Sequence, residues 1–164
     1  MTDLAVKKVS SKIIIDKDKL NEFKFIHLFK THIPQQLKDR TYIIHAGYRN
    51  CRLDFLVVNK ENLKSFYIEL KCRTGNYNDS LKIISRSKLM NAVKHYNKPK
   101  LFIILFYEED NEIYYIDNYD CIFNCKTIVM KDSYGENDIC YDLSSVLKKG
   151  WETLQTDMLL SLIT

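Results

Sequence analysis

Arg52-Leu53-Asp54-Phe55-Leu56-Val57-Val58 and, beyond a polar interval, Ser65-Phe66-Tyr67-Ile68-Glu69-Leu70-Lys71-Cys72 are two β-rich segments that set the architecture of the chain. Both are dense in β-branched and aromatic residues, the composition of strands, and the stretch Asn59 to Lys64 between them is polar enough for a turn. Strand side chains alternate, so Phe66, Ile68, Leu70 and Cys72 share one face while Tyr67, Glu69 and Lys71 share the other. If the turn closes symmetrically, the two strands pair so that Asp54 stands directly opposite Glu69. Two carboxylates facing each other across a ladder repel, and a cation between them relieves the repulsion.

The pattern extends in both directions from this hairpin. Upstream, Leu20, Phe23, Ile26, Phe29 and Ile33 recur at three- and four-residue steps between Asp18 and Ile33, which predicts an amphipathic helix ended by Pro34. Thr41 to Ala46 reads as a strand before Gly47. Downstream, Leu89, Val93 and Tyr96 with Met90 predict a helix over 86–97, capped by Ser85 or Ser87 and followed by Pro99. Leu101 to Tyr107 is an unbroken apolar run suited to a central strand buried on both faces, and Glu112 to Asp117 returns as its hairpin partner. The order is α-β-β-β-α-β. Beyond it, Ile122 to Met130 and Ile139 to Asp142 read as short strands. Ser144 to Leu162 reads as a helix with Leu147, Trp151, Leu154 and Met158 on one stripe, a stripe more often core than interface.

A chain of 164 residues, 46% hydrophobic, suits one core, so 1–164 is expected to be a single domain: a core over about 18–117 and a C-terminal extension over about 118–164. The formal charge of +4 is a mild surplus that permits an anionic partner without demanding one. Five cysteines, Cys51, Cys72, Cys121, Cys125 and Cys140, match no common zinc spacing, and no secretory signal precedes them. Free buried thiols in an intracellular protein are expected. No apolar run is long enough to cross a bilayer, so no membrane partner is expected. The chain lacks a G-x-S-x-G elbow, a Walker loop and a dinucleotide fingerprint.

A Cys-His nucleophile pair stays open, although none of His27, His32, His45 or His95 has a telling neighbourhood, and the chemistry with the clearest signal is that of Asp54, Glu69 and Lys71. Mg²⁺, or Mn²⁺ in its place, suits a site of one or two carboxylates because it keeps several waters and leaves room for phosphate oxygens. One or two ions are expected, with the Leu70 carbonyl as a further oxygen ligand. Bound water loses a proton more readily, and Lys71 can orient the attacking water or steady the developing charge. The bland reading is that Glu69 and Lys71 are two solvated residues on an open sheet face. Against it, three ionisable groups converging on one covered face are expensive without a purpose.

In this arrangement the sequence resembles the PD-(D/E)XK nuclease superfamily, whose α-β-β-β-α-β core carries Asp on the second strand and E-x-K on the third. The resemblance covers roughly Leu20 to Tyr107 and rests on Asp54, Glu69 and Lys71; Leu53 stands where the superfamily's name places a proline. It implies a restriction-endonuclease-like α/β fold, with a mixed central sheet flanked by helices, plus C-terminal strands and a helix. It also implies a metal-dependent endonuclease with catalytic Asp54, Glu69, Lys71 and, from the first helix, Glu22, and with Asp54, Glu69 and Glu22 as metal ligands. Arg73, Arg86 and Lys88 flank the entry to the helix that often lines the nucleic-acid groove, and Lys88 stands near where several members carry a Gln. The short form is similar to junction-resolving endonucleases, which implies a DNA substrate, branched DNA among the forms considered, and a homodimer formed through the Trp151 stripe or an exposed sheet edge. The same site on RNA, and a catalytically silent nucleic-acid or protein-binding module, are the alternatives.

Overall fold

The computed structural model describes residues 19–45, 53–132 and 134–163. Leu101–Tyr107, every residue of it buried, is the central strand β5. It lies in a mixed six-stranded sheet of order β1-β2-β3-β5-β6-β9, with β1 Thr41–His45, β2 Phe55–Asn59, β3 Ser65–Arg73, β6 Glu112–Ile116 and β9 Lys148–Lys149. β3 runs parallel to β5, and the other pairs are antiparallel. A parallel neighbour needs a crossover, which here contains the helix α2 Arg86–His95. Ser85 caps that helix, its hydroxyl accepting the Lys88 N–H.

Alternation along β5 splits the core in two. Phe102, Ile104 and Phe106 meet Phe25, Phe29 and Ile33 of helix α1 (19–31 and the turn after it) and Leu154, Met158 and Leu162 of helix α3 Trp151–Ile163. Leu101 and Ile103 meet Leu89 and Ala92 of α2 on the other face. The sheet is thus covered on both faces, which is why its central strand reads as a continuous apolar run. Among the described residues no helix is long and apolar enough to cross a membrane.

The structure departs from the sequence reading in several places. Phe29 and Ile33 of the expected stripe are buried together with Phe25, whereas Leu20 and Phe23 at its start are exposed. β2 begins at Phe55, so Asp54 sits just before it rather than inside it. Residues 119–124 form a 3-10 turn instead of a strand, with the Asn118 side chain accepting the Asp120 N–H at its start. Strand β7 follows at Thr127–Lys131 and pairs with β8 Asn137–Asp142, which also pairs with an unanticipated strand, β4 Ile83–Ser85. This three-stranded sheet, β4-β8-β7, contributes Ile84 and Tyr141 to the α2 side of the core.

The last helix starts at Trp151, later than expected, because Lys148–Lys149 pair with β6 as strand β9 and Gly150, with a left-handed φ of 101°, follows them. Leu147 consequently packs on the opposite side of the sheet from Leu154. Trp151 stacks on His32 and Phe25, and Leu154 and Met158 are buried, so this stripe is core and not a free dimer surface. The four described cysteines, Cys72, Cys121, Cys125 and Cys140, are unpaired thiols; Cys51 lies outside the described residues.

The end of α3 is tied to the β2–β3 turn. Buried Asn59 donates from Nδ2 to the Leu162 carbonyl at 2.9 Å, and Asn62 donates to the same oxygen at 2.8 Å. Carbonyls in a last helical turn have no intrahelical donor, so these amides supply one. Asn59→Ala is expected to lower stability by about 1–3 kcal/mol, read as an earlier urea midpoint. Asn62→Ala, which is more exposed, should cost less.

Candidate functional site

The β2–β3 ladder pairs Phe55 with Ile68, Leu56 with Tyr67 and Val57 with Phe66. Continued by one residue, this register sets Asp54 against Glu69, as the symmetric turn requires. The pairing does continue in part, because the Asp54 N–H donates to the Ile68 carbonyl at 3.0 Å. Asp54 then turns its own carboxylate back to the strand, and Oδ2 accepts the Leu70 N–H at 2.7 Å. The carboxylate therefore takes the place of the next backbone acceptor at the point where β2 gives out.

Glu69 faces the α2 side and is only 2% exposed. Its Oε1 lies 3.1 Å from Lys71 Nζ and 2.6 Å from Lys88 Nζ. Lys71 comes from the same strand face two residues on, as alternation dictates. Lys88 comes from the first turn of α2, which the crossover lays over β3. The contacts to Oε1 are ion pairs without good hydrogen-bond geometry, and Oε2 is buried with no hydrogen-bond partner among the described residues. A buried, unpartnered carboxylate oxygen is costly and calls for an occupant.

The electrostatics follow from that crowding. Burial, reinforced by the Glu69 charge, pushes Asp54 up to about 6, against the opposing pull of the Leu70 N–H, Lys88 and Lys71. Burial also draws the Lys71 ammonium below its ordinary value, and Lys88 beside it works in the same direction, while Glu69 opposes both. Lys88 goes the other way. Burial works against its charge too, but the carboxylates of Glu69 and Asp54 outweigh it and hold Lys88 above the ordinary lysine range. Two ammonium groups share one carboxylate oxygen, and the more enclosed of them, Lys71, yields its proton first.

The Asp54 shift has a definite sign in stability. The folded state holds this proton up to about 6, whereas an unperturbed carboxyl releases it near 3.8. Ionised Asp54 therefore penalises the folded, metal-free protein fully above about pH 6, and the penalty vanishes below about pH 4. Asp54→Asn should match wild type in melting temperature near pH 4 and exceed it near pH 7.5 in EDTA. Calorimetry across that range checks the divergence, and parallel curves would contradict it.

Of the other residues singled out from sequence, Arg73 ends β3 and Arg86 opens α2, and neither forms an ion pair with another described residue. Glu22 does not join the cluster. It lies on α1, against the opposite face of the sheet, with Oε2 3.4 Å from His45 Nε2. Among the described residues no group of three Asp, Glu, His or Cys side chains is placed to hold a metal ion, so Glu22 does not complete a three-carboxylate site with Asp54 and Glu69. Lys88, in contrast, belongs to the centre of the cluster rather than to its rim; its sequence signal was only its position one turn into a helix that follows E-x-K.

The cavity beside Glu69, lined also by Leu53, Ile84, Lys88 and Leu89, holds only about 10 Å³. That is room for about one water, not for a small-molecule substrate. Two larger clefts lined by described residues, of about 610 and 330 Å³, lie between α1 and β1 and contain none of Asp54, Glu69, Lys71 or Lys88. No protein-family model matches this chain, and no curated protein matches it.

Proposed function

We propose that this protein is a divalent-metal-dependent endonuclease that hydrolyses DNA phosphodiester bonds, a member of the PD-(D/E)XK superfamily with a restriction-endonuclease-like core. The order α1-β1-β2-β3-α2-β5, with β5 parallel to β3, supports the fold reading, with β4 as an insertion before α2. The observation that carries the activity is the convergence of Asp54, Glu69, Lys71 and Lys88 around a buried carboxylate whose Oε2 has no hydrogen-bond partner among the described residues.

The donor set fits Mg²⁺ or Mn²⁺. Asp54 and Glu69 offer hard carboxylate oxygens, and the Leu70 carbonyl points to the same side of β3 as its N–H, toward Asp54. A metal ion held there supplies a more acidic water and positive charge for the transition state. Lys71, whose charged form burial disfavours, accepts the proton of the attacking water. Lys88 keeps its proton, neutralises Glu69 and faces the transferred phosphate. Arg73 and Arg86 hold the flanking phosphates. A scissile bond in a polymer is brought to such a group from outside, which agrees with the small volume, about 10 Å³, that the described residues leave beside Glu69. Two copies would meet through the edge strand β1, where Tyr42 and Ile44 are exposed.

One observation favours a second reading. Two lysines already neutralise Glu69 at 2.6 and 3.1 Å, a balance that a catalytically silent nucleic-acid-binding module could keep without metal. Incubation with labelled four-way junction, duplex, single-stranded DNA and RNA, in Mg²⁺, Mn²⁺ or EDTA, separates the readings. Metal-dependent cleavage of DNA is expected. Cleavage confined to RNA assigns the same site to an RNA endonuclease, and binding without cleavage under every condition assigns the chain to the silent module.

A further inference from the structure

Lys71, Leu105, Tyr114 and Lys149 stand opposite one another in a single row across β3, β5, β6 and β9. All belong to the α2 side of the sheet, since Leu105 lies two residues from Ile103 and Tyr114 two from Ile116, both packed in that half of the core. At the usual strand spacing, Tyr114 is about 10 Å from Lys71 along the row and Lys149 about 15 Å. The loop over 74–82 brings Tyr77 flat onto Tyr114, with ring centroids 3.8 Å apart and 18° between planes. Tyr107 meets Tyr77 edge-on at 5.9 Å, and its hydroxyl is hydrogen-bonded to Ser80, which pins the loop. Lys82 Nζ lies 4.0 Å over the Tyr77 ring, necessarily on the face that Tyr114 leaves open, and Lys149 Nζ lies 5.8 Å from the Tyr114 centroid. Asp142, whose charge reaches Tyr77, is turned onto the N–H and hydroxyl of Ser144.

We propose that Tyr77 and Tyr114, with Lys82 and Lys149, form a binding surface for an unpaired nucleotide of a nucleic-acid strand. The base stacks on Tyr77 in place of the Lys82 ammonium, and the two lysines take the adjoining phosphates. A base offers a π-face of the same shape as the tyrosine beneath it, and a displaced ammonium gains a full negative charge in exchange for a ring quadrupole. The row leads from this stack to Lys71, so the strand entering the nuclease site is single-stranded on that side. The assignment of the strand's destination rests on the nuclease reading; the binding surface itself does not.

Fluorescence anisotropy in EDTA, with a labelled single-stranded oligonucleotide and a blunt duplex of equal length, tests it without turnover. Tyr77→Ala is expected to weaken single-strand binding about tenfold or more, with a much smaller effect on duplex, while Tyr77→Phe binds as wild type. The double variant Lys82→Ala/Lys149→Ala should reduce the slope of log affinity against log salt by about 1.4 for the single strand. Wild-type affinity in a folded Tyr77→Ala, or an equal loss in Tyr77→Phe, overturns the proposal. If Tyr77→Ala does not fold, an unchanged salt slope in the double lysine variant overturns it instead. Tyr77-dependent binding in a wild-type protein that cleaves nothing in Mg²⁺ sustains this surface and overturns the nuclease reading alone.

Discussion

Glu69→Ala is expected to lower Mg²⁺-dependent cleavage by about a thousandfold or more, because the substitution removes a proposed metal ligand and the group that positions both lysines. Glu69 is the most enclosed member of the cluster, and both ammonium groups converge on its Oε1. Without it, Lys71 and Lys88 face each other with no counter-charge between them. Truncating one partner of a buried ion pair typically costs about 3–5 kcal/mol. The cost here should fall toward the lower end, since the Lys88 side chain is 45% exposed and Lys71 can shed its proton. Glu69→Gln separates the two effects: it keeps the shape and an oxygen for the lysines, so the fold should survive while cleavage is still lost. Single-turnover rates measure the first effect. The second is read from melting curves with and without Mn²⁺, because an ion that binds only the folded state raises its stability. A Glu69→Gln protein that cleaves at the wild-type rate would remove the carboxylate from the mechanism.

The second large effect is expected at Lys71. Lys71→Met retains an apolar stem of similar length and deletes the amine, and cleavage should fall by about a hundredfold to a thousandfold, the range for loss of a positioned proton acceptor. The Mn²⁺-dependent rise in melting temperature should remain, since Asp54 and Glu69 are untouched. In wild type, cleavage should rise with pH as Lys71 loses its proton below the ordinary lysine value of 10.5. Lys71→Met should lose this rise. The stability sign is also set: a lysine whose folded pKa is depressed penalises the folded state while it is protonated, so Lys71→Met should not destabilise the protein near neutral pH. A destabilised Lys71→Met protein with the wild-type pH profile would mean that Lys71 serves only to neutralise Glu69. Lys71→Arg should not rescue cleavage, because guanidinium cannot give up its proton.

Much of this site was legible before any coordinates. Glu69 and Lys71 share a face because strand periodicity is two, and Asp54 lies against Glu69 because the polar turn between two apolar runs leaves one sensible register. Leu101 to Tyr107 could be read as the central strand from its unbroken apolarity. All three follow from short-range rules; the structure repeats the shared face and the central strand, and carries the register to Asp54 only in part, because β2 begins at Phe55. The C-terminal third was less legible because its elements are short: an Asx-capped 3-10 turn and a five-residue strand stand where one longer strand was expected.

What the sequence by itself determined is therefore the hairpin of Asp54, Glu69 and Lys71 and the order of the elements around it. Tertiary structure alone decided which further groups reach that hairpin. Glu22 and Lys88 both sit on amphipathic helices, and helical periodicity says which side chains lie together but not against which face of a sheet the helix docks. α1 packs on the far face and carries Glu22 to His45, whereas the β3–α2–β5 crossover lays α2 over Glu69 and delivers Lys88 to it. Tyr77 shows the same limit from a loop, a segment without any period, where only the closing of β6 beside β5 brought Tyr114 beneath its ring.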